Sequence, residues 1–231
     1  MFRALLHRLS AALPGQCALC HAWPARPVCP ACTARFAQPR SRCGLCALPL
    51  PAGVERCGAC IKDAPPLDRC LAAVSYEYPW SGLIARYKFG PSPGWSAALA
   101  RLMQDSPGVA AALDAADLLL PLPLSPRRLR ERGFNQALEL ARQLAPCKTR
   151  ADLLLRLRDT PAQSSLPLNR RLRNVQDAFG LATGAADALQ GRRLVLVDDV
   201  MTSGATLHAA ARLLRTAGAA HITGLVLART E

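Results

Sequence analysis

The sequence is poor in aromatic side chains, in lysine and in long apolar runs. Aromatics make up 5% of the 231 residues. With tryptophan only at positions 23, 80 and 95, that argues against a broad base-stacking platform. No run of about 18 uninterrupted apolar residues exists, so no membrane span is expected. The first fifteen residues, MFRALLHRLSAALPG, are basic and mildly apolar, but His7 and Arg8 interrupt the run that a secretory signal needs. A short amphipathic helix is the plainer expectation there, and a cytoplasmic location goes with it. Lysine occurs only at 62, 88 and 148, so the formal net charge of +13 is almost wholly arginine. The guanidinium fork suits phosphate oxygens, which makes a phosphate-rich ligand or nucleic acid a natural partner; a solvated basic surface explains the same composition.

Cysteine, by contrast, is plentiful. Eight of the ten cysteines form four Cys-x-x-Cys pairs: Cys17/Cys20, Cys29/Cys32, Cys43/Cys46 and Cys57/Cys60. Two thiolates at that spacing reach one tetrahedral Zn²⁺ at about 2.3 Å. Four pairs therefore predict two structural zinc sites, and Gly44 and Gly58 suit tight knuckle turns. Sequential pairing is simplest, an interleaved arrangement stays open, and an iron–sulfur cluster fits the regular spacing less well. Cys70 and Cys147 are read as buried small hydrophobes. Residues 1–69, rich in cysteine and proline, cannot bury much apolar surface without such a staple. They are expected to form a separate metal-binding module ahead of a domain spanning 70–231.

Beyond residue 69 strand-like and helix-like segments alternate. Strands are expected at 71–78, 117–122, 153–155, 177–181, 194–197 and 221–228, and helices at 81–89, 95–103, 134–144 and 203–217. Continuous apolar strands separated by helices indicate an α/β fold, a parallel sheet flanked by helices.

The most informative segment is Val195–Thr206, VLVDDVMTSGAT. A β-run delivers Asp198 and Asp199 to the carboxyl end of a strand, where open α/β sheets bind ligands. Two adjacent carboxylates can accept from neighbouring sugar hydroxyls or help position a divalent cation. The turn Met201, Thr202, Ser203, Gly204, Ala205, Thr206 offers backbone N–H groups and three hydroxyls ahead of a helix, a cradle for a phosphate dianion. A dinucleotide fingerprint lacks its glycines here, a P-loop lacks its Gly-Lys-Ser/Thr, and too few residues follow Asp199 for a receiver domain. An acidic turn with a helix capped by Ser203 is the plain structural alternative.

This segment resembles the PRPP-binding motif of type I phosphoribosyltransferases. In that family the acidic pair holds the ribose hydroxyls and the loop after it the 5-phosphate. Two further blocks are similar to the ComF family of competence proteins. In PLPLSPRRLRERGFNQALELA (residues 121–141), Arg127, Arg128, Arg130 and Arg132 crowd an expected turn that resembles the family's pyrophosphate-side loop; a solvated basic turn is its bland reading. In the stretch from Asp159 to Phe179, the order Thr…Gln…Leu…Arg-x-x-Asn-Val…Ala-Phe matches the family pattern. A mobile flap carrying Arg171 and Asn174 is expected there, with a surface hairpin as the alternative. Arg86–Gly90 resembles a further family element, in which Lys88 reaches a phosphate. The cysteine pairs resemble the double zinc ribbon of longer ComF proteins.

The resemblance implies PRPP with Mg²⁺ as the ligand of Asp198, Asp199 and the 201–206 loop. It casts Asp198, Asp199, Arg128 and Arg130 as catalytic if pyrophosphate is displaced. It also implies a role in DNA uptake or DNA utilisation, beside single-stranded DNA and the helicase and recombination proteins of competence. An inactive single-strand-binding protein and an active phosphoribosyltransferase of nucleotide metabolism are the two alternatives.

Overall fold

The computed structural model describes residues 15–90, 93–158 and 178–231. The expected N-terminal amphipathic helix, and the flap segment with Arg171 and Asn174, lie outside the described residues. Contacts divide the chain into two compact units, one ending at Gln38 and one running from Pro39 to Glu231. The division falls ahead of the 69/70 boundary read from the sequence.

In the first unit, Cys17, Cys29 and Cys32 form a small buried cluster, against which Leu19, Ala25, Val28 and Phe36 pack. Helix α1 (Pro30–Phe36) starts on Cys29, whose thiol accepts from the Cys32 N–H at 3.4 Å, with proline at its first turn.

In the second unit, Cys43, Cys46, Cys57 and Cys60, with helix α2 (Gly58–Lys62) between and after them, belong to the same apolar core as the main sheet. That sheet is all parallel, in the order β1 (Arg69–Ser75), β6 (His221–Arg229), β5 (Arg193–Met201), β2 (Leu118–Pro121). In β5 the four consecutive residues Leu194–Val197 are at most 1% exposed, so both faces of the sheet are covered. Leu194 and Leu196 face helix α9 (Ala205–Thr216) through Leu207, Ala210, Ala211 and Leu214. Helices α3 (Trp80–Phe89), α4 (Ser96–Gln104) and α5 (Val109–Ala115) lie between β1 and β2 in the chain. A second, antiparallel pair, β3 (Leu154–Arg156) with β4 (Phe179–Leu181), stands apart, and α8 (Ala185–Leu189) follows it.

The main departure concerns residues 126–132. The expected arginine-rich turn is a helix, α6 (Pro126–Arg132). Ser125 caps it, its Oγ accepting from the Arg128 N–H at 3.4 Å; Pro126 opens it, and Gly133 ends it at φ +78°. Ser-Pro before and Gly after are helix-boundary chemistry that the polar composition of the segment concealed. Helix α7 (Gln136–Leu144) then starts on Asn135, whose side chain accepts from the Leu138 N–H at 3.2 Å. Cys70 is buried as expected, whereas Cys147 is exposed, because a short 3-10 turn carries it past the end of α7.

Leu196 is wholly buried in the inner strand. Leu196→Ala is expected to cost about 2–5 kcal/mol in urea unfolding. A loss below about 1 kcal/mol would mean that the two layers re-close around the void.

Candidate phosphate-binding cleft

Strand β5 carries Asp198 and Asp199 to its carboxyl end, as in other open parallel sheets. Behind it the chain turns through Thr202 and Ser203 into Gly204, the first residue of the α9 cap, at φ +78°. Any L side chain would be strained there, and a Cβ would fall 2.5 Å from the Met201 methyl and 2.7 Å from His208 Nε2. Ser203 does not serve as the helix cap; its Oγ accepts from the Ala205 N–H at 3.4 Å, inside the turn. His208 lies beneath the loop, burial holding its imidazole down to about 4; its Nε2 finds no hydrogen-bond partner among the described residues, and the ring is neutral at ordinary pH.

An open cleft lies over this strand end. Asp198, Asp199 and the loop residues Met201, Thr202, Gly204, Ala205 and Thr206 line one side, and Lys88, Arg128 and Arg132 line it too. The two aspartates are unequal. Lys88 Nζ is 3.1 Å from Asp199 Oδ1, and Arg132 Nη1 is 3.8 Å from Asp199 Oδ2, all three groups being largely buried. Asp198 instead accepts the N–H of Asp199 at 2.8 Å. Desolvation, and then the charge of Asp199, push the Asp198 carboxyl up towards neutrality, to about 7.

Gln136 holds the two cations in place. It is 1% exposed, accepts from Arg132 Nη1 at 2.9 Å and donates to the carbonyl of Lys88 at 3.5 Å. The buried Tyr87 hydroxyl donates to the main-chain carbonyl of Gln136 at 3.0 Å, and its ring tilts against Phe134 at 5.6 Å.

The helical turn of α6 sorts the four arginines expected together. Arg128 and Arg132, one turn apart, line the cleft. Arg127 instead pairs with Glu131 at 2.8 Å, and Arg130 is exposed and outside the lining. Ser203 is likewise outside the lining. Sequence reasoning missed Arg156, which reaches the cleft from β3 with its guanidinium 4.8 Å from the Phe179 ring. It also missed Gln136 as the organiser; a polar residue on the apolar face of α7 was the signal that could have found it.

The eight paired cysteines gather as Cys17, Cys20, Cys29, Cys32 and as Cys43, Cys46, Cys57, Cys60, the sulfurs of each group lying within 4.8 Å of one another. The pairing is therefore sequential. Sulfur separations of 3.6 Å for Cys20–Cys29 and Cys46–Cys57 approach the ~3.8 Å edge of a tetrahedron with 2.3 Å bonds. Main-chain N–H groups of Cys29 and Cys57 point at the sulfurs of Cys17 and Cys43, each at 3.4 Å. Each group can hold a metal ion, and an all-sulfur set without an open position suits a structural one.

Fold and cleft define a phosphoribosyltransferase-type domain, and residues 130–230 match the phosphoribosyl transferase domain family. Over nearly its full length the chain is 34% identical to the DNA utilization protein YhgH of Salmonella typhimurium, covering 94% of this chain and 98% of that protein. It is 34% identical to competence protein F of Haemophilus influenzae, over 81% of this chain and 84% of that one. With competence protein ComFC of Bacillus subtilis it shares 39% identity over 49% of this chain and 45% of the other. The chain belongs to the ComF family of DNA-utilisation and competence proteins.

The raised Asp198 carboxyl has a stability consequence. A carboxyl whose proton is held more tightly in the folded state weakens that state as pH rises from the ordinary carboxylate range towards 7. Asp198→Asn removes the burden, so at pH 8 its Tm should exceed that of the wild type by at least about 2 °C, with little difference at pH 4. Equal effects at both pH values in differential scanning calorimetry would contradict the assigned cause.

Proposed function

We propose that the cleft binds PRPP or a related 5-phosphorylated ribose, with Mg²⁺, in the service of DNA uptake or DNA utilisation. One observation carries the reading: a carboxylate pair at a strand end, followed by a glycine turn at the start of α9, with Lys88, Arg128 and Arg132 lining the same cleft. In this reading Asp198 and Asp199 take the ribose hydroxyls and the residues from Met201 to Thr206 take the 5-phosphate. The three cations stand where a pyrophosphate needs charge. If turnover occurs, a nucleophile attacks the anomeric carbon and pyrophosphate leaves. The protein's contribution is then charge stabilisation rather than a general base. Binding sugar hydroxyls at Asp199 requires Lys88 or Arg132 to turn from the carboxylate towards the ligand.

A second reading, single-stranded DNA binding without turnover, draws on the +13 charge and on the relatives named for competence and DNA utilisation. The two clusters are proposed to hold one structural Zn²⁺ each, and the chain to work in the cytoplasm. No helix among the described residues is long and apolar enough to cross a membrane.

Millimolar PRPP with Mg²⁺ should raise the Tm of the full chain, and Asp198→Ala should abolish the rise; an unmoved Tm in the wild type would sink the PRPP reading. Binding of a fluorescent oligo-dT should weaken steeply between about 50 and 200 mM salt, and Arg128→Ala should reduce the salt slope by about one. Affinity indifferent to salt would count against the DNA reading.

A further inference from the structure

The phosphate loop is joined to the second cysteine cluster by two separate buried routes. The first runs through Arg229, at the end of β6 and 8% exposed. Its Nε donates to the carbonyl of Cys46 at 2.9 Å, and its Nη1 donates to the carbonyl of Met201 at 3.3 Å. Nη1 also meets the carbonyl and the hydroxyl of Thr230. The second route runs through Cys70. Its N–H donates to the carbonyl of Gly44, inside the Cys43–Cys46 knuckle, at 2.7 Å, and its thiol donates to Met201 Sδ at 3.7 Å.

Both routes end on Met201, the last residue of β5 and the hinge at which the loop begins. Met201 is 2% exposed, and its methyl group fills the space below Gly204, where a Cβ would otherwise go. Its carbonyl also accepts the Thr230 N–H at 3.0 Å, so both its backbone and its side chain are held.

Arg229 directs a buried guanidinium at main-chain carbonyls, and among the described residues it meets no carboxylate. Such a group keeps its place only while those carbonyls keep theirs. One of them belongs to Cys46, a member of the four-cysteine set. A metal held by that set carries excess thiolate charge, the complement that a buried guanidinium otherwise lacks. Arg42 supports the same knuckle, donating to the Ala47 carbonyl and the Ser75 hydroxyl, each at 3.1 Å.

We propose that Arg229 is a positioning residue that ties the phosphate loop to the second cysteine cluster, so that the order of the loop depends on that cluster being intact. An event that opens the cluster, such as metal loss, then loosens the loop without touching the cleft itself. The consequence for ligand binding rests on the phosphate reading above; the coupling does not.

The test is hydrogen–deuterium exchange by mass spectrometry on the full, zinc-loaded chain without ligand. Arg229→Met is expected to raise exchange about tenfold in peptides spanning Thr202–Leu207, the effect of losing a charge-assisted hydrogen bond. Peptides of α7 and β2 should stay unchanged, and Arg229→Lys should recover much of the protection. Wild type stripped of zinc by a chelator should loosen the same peptides, which decides the matter even if Arg229→Met fails to fold. Ribose 5-phosphate should bind about tenfold more weakly in each loosened form. Unchanged loop exchange in zinc-stripped wild type, or in a folded Arg229→Met, overturns the proposal. So does a uniform rise in exchange that includes α7 and β2. If ribose 5-phosphate binds none of the proteins, the phosphate reading fails while the exchange data still decide the coupling.

Discussion

The parallel pairing of β5, with β6 on one side and β2 on the other, is the constraint from which the cleft follows. A strand hydrogen-bonded along both edges and covered on both faces has no freedom to rotate its side chains towards water. The two aspartates at its end are therefore presented at the rim of a low-dielectric layer, with backbone amides of the following turn beside them. Two neighbouring carboxylates there repel one another and lose hydration, and the rest of the cleft reads as the response to that cost. Lys88 and Arg132 are placed against Asp199, Gln136 is placed to hold both, and Tyr87 anchors Gln136.

The response is one-sided, and the asymmetry has chemical content. Asp199 is paired with two cations, whereas Asp198 accepts the N–H of its neighbour, and burial pushes its carboxyl up. A ligand bearing hydroxyls and negatively charged phosphates answers both defects: the hydroxyls supply donors to the carboxylates, and the phosphates offer the cations a stronger partner.

The two cysteine modules, alike in spacing, differ in their surroundings. The first closes on its own few apolar neighbours, while the second contributes Cys43, Cys46, Cys57 and Cys60 to the core that α9 and the sheet share. Its knuckle carbonyls accept hydrogen bonds from Cys70 and Arg229, one from each of the adjacent strands β1 and β6. The second cysteine knuckle thus packs into the core over that part of the sheet.

The sequence by itself determined the strand–turn–helix of Val195–Thr206 and the α/β alternation, because β-branched runs, an acidic pair and a glycine turn are local signals with local causes. The four Cys-x-x-Cys pairs were equally legible, since that spacing lets two thiols reach one metal ion, but which pairs combine was decided by the tertiary structure. Tertiary structure decided which cations line the cleft: among the named arginines it kept Arg128 and Arg132, it kept Lys88, which only the family resemblance had named, and it added Arg156. Lys88 approaches from α3, more than a hundred residues earlier in the chain, and Arg156 approaches from β3. Four arginines that look equivalent in a basic run are divided by the pitch of α6 into Arg128 and Arg132, which line the cleft, and Arg127 and Arg130, which do not. The same holds for the second cysteine cluster: its four cysteines are written in the sequence, but its links to Met201 exist only because the tertiary fold brings Arg229 of β6 and Cys70 of β1 beside it. Burial and long-range register have no local signature, and they set which charges pair and which are left for a ligand.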